Sequence, residues 1–594
     1  MTQYYTDERH AQIVVKLLKE HNVRKIVVSP GATNIPIVAS VQYDEFFEVY
    51  SCVDERSAAY IACGLAEESG EIVAISCTGA TASRNYLPAL TEAFYRKLPI
   101  LAITSFNGND SIGQLLPQNI DRTVIPNDVA KLSVQLPVVK DEKDEKFCNL
   151  LVNKAILEAT RQGGGPVHIN LTTTYLGTFK TKILPEQRVI KRFNSSDTLP
   201  DINYDKIAIF IGSHKTFSDS EVEAIESFCK HRNAVVLCDH TSSYKGKFSI
   251  QSALIKSNVR KLNPLWESLR PNLVVHLGEV SGDYPSMKVL EEADAVWRVS
   301  PDGEIRDRGG KLVLVYEGDE LSFFNKLSNG SQKNEYFNIW KSTDAAIREL
   351  IPELPFSNSW ISKEFSKLVP RNSYVNLAIL NTLRNWNFCE LDPSVYTTSN
   401  VGGFGIDGCM STMVGASLVN KNKLYFGVIG DLAYFYDVNV IANRHLSNNV
   451  RILLINNGCG AEFNVSTHIG SVFGEKSTDF ISAGGHFASG SGATSVVEDK
   501  ENRTKSSLSA AWAEKLGFKY YSAKSKSEFL NEVDKFIDHE SDQPIILECF
   551  TNSNDESHAL DLMNNISLSN KEKYANSLKG KIPTSLLKLV RKYK

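Results

Sequence analysis

Short apolar runs that end in glycine or polar residues recur along the chain and alternate with segments of helical periodicity. KIVV, EIVAIS and LPILAITS each predict a buried strand followed by a loop. Between and after them, AYIACGLAEE and YLPALTEAFYR place apolar residues at the spacing of amphipathic helices. This alternation predicts an α/β fold with mainly parallel sheets.

The same rhythm occurs in three parts of the chain, separated by polar, proline-containing passages at 190–204 and 350–360 that we interpret as linkers. A chain of 594 residues is too long for a single core, so we predict three doubly wound domains and a basic tail. The predicted boundaries are 1–189, 200–350, 360–565 and 566–594. The middle domain has no evident GxGxxG turn, and we interpret it as structural.

Two apolar runs in the third domain end in residues that suit a metal ion. LYFGVIGD ends in Gly430 and Asp431, and VRILLINNG contains Asn457. Because ligands bind outside the carboxyl ends of parallel strands, Asp431 and Asn457 should lie close together. Their side-chain oxygens and the backbone carbonyl of Cys459 would supply three of the roughly six oxygen ligands of a hard cation such as Mg²⁺. Gly430 allows a tight turn beside a phosphate, and the helix predicted from about Ala433 offers N–H groups.

Each feature also has a plainer interpretation. Asp431 alone could cap a helix, and the asparagine pair alone could form a turn. Their common placement at the ends of successive apolar runs favours a site for a metal ion and a diphosphate.

This GD…NN pattern, with GIDGCMSTMVGAS upstream, resembles that of thiamine-diphosphate enzymes. Their usual third residue is glycine, and Leu432 is similar instead to the 2-succinyl-5-enolpyruvyl-6-hydroxy-3-cyclohexene-1-carboxylate synthases of menaquinone biosynthesis. The resemblance covers nearly the whole chain and is weakest in the middle domain. It implies thiamine diphosphate and Mg²⁺ as cofactors, with Asp431, Asn457 and the Cys459 carbonyl as metal ligands.

The first domain offers the glutamate that such an enzyme needs. In VYSCVDERSAAYIACGLA, an apolar strand is followed by Asp54, Glu55, Arg56 and a helix of small residues. The resemblance implies that Glu55 contacts the pyrimidine ring of the cofactor and is the catalytic acid. The plainer interpretation is that both acids merely favour a helix N-terminus.

Further segments follow the order of the family, namely SPGATNIPI, TGATASRNYLPALTEA and QLLPQNIDR. Gln118 matches a cofactor-side glutamine with a catalytic role, and Asn85 matches an asparagine whose role stays open. The other cofactor contacts implied by the resemblance are Thr78, Gly79, Gly403, Ile406, Gly430, Leu432, Ala433 and Ala461. Because the superfamily combines residues of different subunits at each site, a homodimer or homotetramer is implied.

The chain departs from these synthases where arginines bind substrate carboxylates, a task that suits the planar guanidinium group. The family's SPGSRS is SPGATN here, its ADRP is SFNGND, its SR before GIDG is SNVGGFGIDG, and its middle-domain Lys-Arg is SGDYPSMK. The residues at these places are Thr33, Asn34, Phe106, Asn107, Ser399, Asn400, Asp283 and Tyr284. These changes predict a different substrate.

Residues 464–506 look inserted and include the Gly/Ser-rich GGHFASGSGATS. We predict a flexible lid over the site with His468 and His486 as candidate proton donors, although a solvent loop is the simpler interpretation of each histidine. Glu462 replaces an apolar substrate-facing residue of the family and is therefore a candidate catalytic acid.

The composition predicts a soluble intracellular protein. A net charge of −4 gives no reason to expect a nucleic-acid or membrane partner. No apolar run approaches the ~18 residues of a membrane span, and the charged N-terminus lacks the apolar core of a signal peptide. The ten cysteines are scattered without a CxxC pair, which is typical of reduced thiols. We therefore predict a cytoplasmic protein.

Together these features predict a carboligase, classed as a transferase or lyase, that decarboxylates a 2-oxo acid and passes the acyl anion to an aldehyde or ketone. The nearest alternative is a simple decarboxylase, although the paired histidines of pyruvate decarboxylases are absent from NGNDSIGQ. The second alternative is a catalytically altered homologue that only binds cofactor, against which Glu55, Asp431 and Asn457 argue.

Overall fold

Three parallel sheets flanked by helices make up the computed structural model of the chain. The residues described are 4–261, 263–330, 332–466, 468–477, 480–482 and 507–566. The predicted α/β fold class with mainly parallel sheets is confirmed. The chain divides into two compact units, Met1–Asp197 with Asp302–Glu317, and Thr198–Pro301 with Gly318–Lys594. The three domain boundaries stay a prediction.

The first unit contains a six-stranded parallel sheet. Its strands are β1 (Lys25–Val28), β2 (Glu48–Ser51), β3 (Val73–Cys77), β4 (Ile100–Phe106), β5 (Leu132–Leu136) and β6 (Val167–Thr172), in the order β2-β1-β3-β4-β6-β5. Its helices are α1 (Arg9–Glu20), α2 (Ile35–Val41), α3 (Glu55–Ser69), α4 (Ala80–Asn85), α5 (Leu87–Arg96) and α6 (Glu142–Glu158). Every residue of β3 and β4 is buried, as expected of parallel strands covered on both faces.

Strand β7 (Lys191–Asn194) also belongs to the first unit. The second unit adds β8 (Ile207–Ile211), β9 (Ala234–Cys238), β10 (Ser249–Gln251), β11 (Leu273–Leu277) and β12 (Ala295–Ser300), which pair in the order β10-β9-β8-β11-β12. The helices here are α7 (Asp219–Arg232), α8 (Ala253–Asn258), α9 (Trp266–Leu269), α10 (Tyr284–Met287), α11 (Val289–Glu292), α12 (Glu320–Leu327) and α13 (Glu335–Glu349).

The linker predicted at 190–204 is wrong for Lys191–Asn194, because β7 pairs in parallel with β13 (Leu312–Glu317) within the first unit. The sequence KRFN is polar and half exposed, so it lacks the apolar run that marks the buried strands.

The third sheet lies in the second unit and positions the predicted metal residues. Its strands are β14 (Tyr374–Leu377), β15 (Tyr396–Thr398), β16 (Tyr425–Gly430), β17 (Val450–Asn456), β18 (Lys519–Ala523) and β19 (Ile545–Phe550), in the order β15-β14-β16-β17-β19-β18. Its helices are α14 (Asn358–Phe365), α15 (Asn381–Trp386), α16 (Cys409–Ser417), α17 (Asp431–Tyr436), α18 (Leu508–Leu516), α19 (Lys526–Phe536) and α20 (Ser553–Met563).

Most of the predicted insertion at 464–506, including His486, and almost all of the predicted tail lie outside the described residues. In the ranges that are described, no helix is both long enough and apolar enough to cross a bilayer.

Candidate active site

Asp431 and the asparagine loop emerge at the same edge of the third sheet. Strands β16 and β17 are parallel neighbours with Gly430 opposite Ile455, so the residues that follow both strands meet there. The Gly458 N–H donates to Asp431 Oδ2 over 2.7 Å, and the Leu432 N–H donates to Asp431 Oδ1 over 3.0 Å. The acid is therefore bonded directly to the loop that carries Asn457.

The carboxyl group of Asp431 is buried. Its side chain is only 1% exposed, and burial raises its pKa to about 7, although the two backbone N–H bonds act in the opposite direction. Among the described residues, no basic side chain forms an ion pair with it. Since an unpaired buried charge is costly, a bound cation would stabilise the ionised carboxylate.

The neighbouring donors are also of the kind that Mg²⁺ prefers. Asn457 Oδ1 accepts a hydrogen bond from the Cys459 N–H over 3.2 Å, so the asparagine side chain turns back over this loop. The Cys459 thiol is buried, which raises its pKa to about 11 and makes its carbonyl the more suitable ligand. A carboxylate, an amide oxygen and a carbonyl form a hard-oxygen set that fits Mg²⁺.

No group of three or more His, Cys, Asp or Glu side chains that could hold a metal occurs in the described part of the chain. An ion held by Asp431 and Asn457 would therefore complete its shell with phosphate oxygens and water, as Mg²⁺ commonly does. Ideal Cβ positions on Gly403 and Gly430 meet no atom within 4 Å, which leaves open space beside both glycines. The residues present thus fit a metal ion and a diphosphate.

The remaining predicted contacts of the third sheet have mainly packing roles in the structure. Ile406 packs against the core of this sheet, and Ala433 and Ala461 are buried. Leu432 Cδ2 lies 3.3 Å from the position of a Cβ on Gly460, so Leu432 packs against the loop that follows Asn457.

Asn456 has a structural role that the sequence analysis missed. Its Nδ2 donates to Glu548 Oε1 over 2.7 Å, and Ser507 Oγ and Tyr520 Oη donate to Glu548 Oε2 over 2.5 and 2.7 Å. Asn456 therefore links the end of β17 to β19. Asn457 lies in the loop that is hydrogen-bonded to Asp431, where the metal site is predicted. The sequence signal for this role is Glu548, the single acidic residue within the apolar run PIILECF.

Glu462 and His468 are both engaged with nearby groups. Glu462 forms two hydrogen bonds with Arg384, from Nη1 to Oε2 over 2.7 Å and from Nη2 to Oε1 over 2.8 Å. His468 Nδ1 accepts from the Gly470 N–H over 3.0 Å, and its ring contacts Phe463. The role of either residue as an acid stays a prediction.

In the first unit, several predicted residues follow the carboxyl ends of strands of the same parallel sheet. Glu55 comes after β2 and is half-buried, while Thr78 and Gly79 come directly after β3. Thr78 Oγ1 is hydrogen-bonded to Thr33 Oγ1, which also donates to the Ser105 carbonyl over 2.9 Å. A Cβ on Gly79 would lie 2.9 Å from that carbonyl oxygen, so a larger residue would not fit without a shift.

Gln118 and Asn85 are exposed in this chain. Gln118 lies in the loop after β4 with a φ of 63°, a conformation that is uncommon for a residue other than glycine. Asn85 ends α4. The structure gives neither side chain a hydrogen bond within the described residues.

Arg122 was quoted within QLLPQNIDR but not recognised as a candidate. Its side chain is 3% exposed, and Nε, Nη1 and Nη2 lack hydrogen-bond partners among the described residues. The guanidinium lies over the Phe106 ring at 4.9 Å, and Nη2 is 3.5 Å from the Cβ position of Gly79. Burial lowers its pKa to about 10. Nothing in the local sequence pattern separates this arginine from an ordinary surface residue.

Comparison with known sequences places the chain in a family of enzymes. The family described as "Thiamine pyrophosphate enzyme, N-terminal TPP binding domain" matches residues 8–125. A 2-succinyl-5-enolpyruvyl-6-hydroxy-3-cyclohexene-1-carboxylate synthase from Bacteroides thetaiotaomicron is 31% identical over 575 residues, covering 94% of this chain and 98% of the relative.

The synthase of the same name from Phocaeicola vulgatus is 32% identical over 566 residues, with 92% of this chain and 96% of the relative covered. The Bacteroides fragilis synthase is 31% identical over 571 residues, with 94% and 98% covered. These matches define the class as that of the thiamine-diphosphate enzymes. Within that class, the chain belongs to the family of the 2-succinyl-5-enolpyruvyl-6-hydroxy-3-cyclohexene-1-carboxylate synthases.

Proposed function

We propose that this chain is a Mg²⁺-dependent thiamine-diphosphate enzyme that decarboxylates a 2-oxo acid and transfers the acyl unit to an aldehyde or ketone. The observation that carries the proposal is the junction at the third sheet, where buried Asp431 is hydrogen-bonded to the loop of Asn457. When bound, thiamine diphosphate would supply the electron-accepting group that decarboxylation of a 2-oxo acid and acyl transfer need.

In this proposal, the residues of the chain hold the cofactor and move protons. Asp431, Asn457 and the Cys459 carbonyl would hold Mg²⁺ beside the diphosphate. Glu55 would exchange a proton with the pyrimidine of the cofactor as a general acid or base. Gln118 contacts the cofactor from the same unit as Glu55.

The proposed substrate differs from that in the names of the relatives. The places where the family has arginine carry uncharged residues here in three of four motifs. Two of these side chains also turn inward, since Thr33 donates to the Ser105 carbonyl and Asn34 Nδ2 donates to the Ser29 carbonyl over 3.0 Å. Neither is available to clamp a carboxylate, which supports a less highly charged substrate.

The proposed active form is a homodimer or a pair of homodimers. Glu55 of one copy would act on the cofactor held by Asp431 and Asn457 of a second copy, as in the superfamily that the chain resembles. Exposed apolar side chains beside Glu55, such as Val53 and Ile61, support self-association.

Two measurements test the function. Isothermal titration with thiamine diphosphate in the presence of Mg²⁺ should show saturable binding to the wild type. In Asp431→Ala it should be weaker by about a hundredfold or more, because one charged ligand is lost. Asp534→Ala removes an exposed acid of α19 and serves as the matched control.

Carbon dioxide release from a panel of 2-oxo acids, with and without aldehydes, should then identify donor and acceptor. Release that needs no acceptor would make the protein a simple decarboxylase. Bound cofactor without release from any 2-oxo acid would contradict the proposed reaction.

A further inference from the structure

An arginine–glutamate pair lies at the same sheet edge as the predicted metal residues. Both terminal nitrogens of Arg384 donate to the two oxygens of Glu462, at 2.7 and 2.8 Å. The two side chains are only 19% and 18% exposed. Nη1 of Arg384 also donates to Asn381 Oδ1 over 2.9 Å, which holds the guanidinium in place. The two terminal nitrogens of Arg384, which could bind the carboxylate of a ligand bidentately, are thus already bound to the carboxylate of Glu462.

The topology places this pair at the same sheet edge as Asp431. Arg384 belongs to α15, which follows β14, and Glu462 belongs to the short turn after β17. Strands β14 and β17 are the two neighbours of β16, whose carboxyl end carries Asp431. The pair therefore links α15 to the turn after β17, and these segments follow the two strands on either side of β16.

A second acid lies near Arg384. Asp283 is 2% exposed, and a Cβ on the preceding Gly282 would lie 2.4 Å from Leu383 Cδ2, so this segment packs on α15. Burial raises the pKa of Asp283 to about 7, and the nearby Arg384 charge acts in the opposite direction. Arg384 therefore has Glu462 as its ion-pair partner and Asp283 as a second acid nearby.

We propose that the Arg384–Glu462 pair selects 2-oxo acids with an uncharged side chain and excludes those with a second carboxylate. A second carboxylate at this edge would have to displace Glu462 from the guanidinium or lie unpaired beside it, and both are unfavourable. The inference rests on the proposed function and specifies the substrate class of that site. Glu462 acts here as a specificity-determining residue.

The test compares 2-oxobutyrate, which has an apolar side chain, with 2-oxoglutarate, which has a second carboxylate. The wild type should bind 2-oxobutyrate more tightly than 2-oxoglutarate in isothermal titration without cofactor, and should favour it in kcat/KM with cofactor. In Glu462→Gln the guanidinium is freed, so the ratio of the two dissociation constants should move towards 2-oxoglutarate by about tenfold or more, the effect of a charge-assisted hydrogen bond.

Three further variants isolate the cause. Glu462→Asp is one methylene shorter and should give a smaller shift in the same direction. The double variant Arg384→Gln/Glu462→Gln should not show the shift towards 2-oxoglutarate, because the guanidinium group is lost. Glu364→Gln removes the partner of Lys367 in an exposed pair of the same unit and should leave the ratio unchanged.

Equal affinity of the folded wild type for both acids would overturn the inference, as would an unchanged ratio in Glu462→Gln with a native circular dichroism spectrum. If Glu462→Gln does not fold, the wild-type ratio and Glu462→Asp decide. Because binding is measured without turnover, absent carbon dioxide release would contradict the proposed reaction without deciding this inference.

Discussion

Asp54 and Glu55 make different contacts at the start of α3. Asp54 performs the capping of α3, since its Oδ1 accepts from the Arg56 N–H over 3.0 Å and its Oδ2 accepts from Ser57 Oγ over 2.9 Å. Among the described residues, Glu55 itself makes no side-chain hydrogen bond or ion pair. Asp54 thus caps the helix through hydrogen bonds, whereas Glu55 lies in its first turn, where an acid is also favourable.

We expect Glu55→Gln to lower kcat by at least about a hundredfold, the lower range of general acid–base contributions, while cofactor affinity changes little. Steady-state kinetics and isothermal titration on the same preparation separate these effects. Glu68→Gln, at an exposed position of the same helix, is the control. Unchanged kcat in Glu55→Gln would remove Glu55 from its proposed role.

The sequence predicts which strand ends lie next to each other, but it does not predict hydrogen-bond partners that are far apart in the chain. The ends of two successive apolar strands are expected to meet, and the structure joins Asp431 to the loop of Asn457. The partner of Asn456 is Glu548, 92 positions away, and that of Glu462 is Arg384, 78 positions away. No local pattern encodes such pairs, because they depend on the order of strands in the sheet.

Helices α14 and α20 are joined through a buried acid. Glu556 of α20 accepts from the Asn358 N–H at the start of α14, at 3.0 and 3.1 Å, and from Thr551 Oγ1 at 2.7 Å. Burial nevertheless raises its pKa from 4.5 to about 7, because desolvation of the carboxylate outweighs these bonds. The folded protein therefore binds this proton more tightly than the unfolded chain does.

The contribution of Glu556 to stability should be fully present below about pH 4.5 and lost as the pH rises through about 7. Such a shift corresponds to about 3 kcal/mol of unfolding free energy. Urea unfolding of Glu556→Gln at pH 5 and pH 7.5 should show the variant gaining stability relative to the wild type at the higher pH. Glu514→Gln, an exposed site on α18, should show no such change, and equal behaviour of the two variants would contradict the assignment.

At the scale of elements, the buried strands could be predicted and the edge strand could not. β3, β4, β16 and β17 are continuous apolar runs because both faces of a parallel sheet are covered. β7 is polar, and only its pairing with β13 identifies it as a strand. The non-sequential strand orders likewise depend on tertiary packing.

At the scale of the whole molecule, apolar residues in and beside α3 are exposed. Val53, Tyr60 and Ile61 are 76%, 46% and 44% exposed, and they lie close in sequence to Glu55. Such residues near a functional side chain are typical of an interface. A second copy of the chain is the partner that the proposed function requires.

Ile61→Asp should shift the protein towards monomer, since a charge at the interface loses solvation. Sedimentation velocity should detect this change, and specific activity should fall in parallel and become dependent on protein concentration. Ile183→Asp alters a more exposed isoleucine, 84% accessible, and should affect neither property. A dimeric Ile61→Asp with full activity would place the interface elsewhere.

The threefold α/β rhythm could be predicted for the whole chain, but the composition of the units could not. Periodicity reports which segments are buried and not which core they join. Asp302–Glu317 belongs to the first unit, although the segment Thr198–Pro301 of the second unit precedes it in the chain.

This return of Asp302–Glu317 has a consequence for synthesis on the ribosome. Arg161 pairs with Glu304 at 2.8 Å and with Glu317 at 3.2 Å, and Arg188 pairs with Asp307 at 2.8 Å. A nascent chain that has emerged only as far as Asp197 holds both arginines without these carboxylates and β7 without its strand partner. The first unit is therefore complete only after Glu317 has left the exit tunnel, and a gene fragment ending at residue 197 encodes this unit without these ion pairs and without the partner of β7.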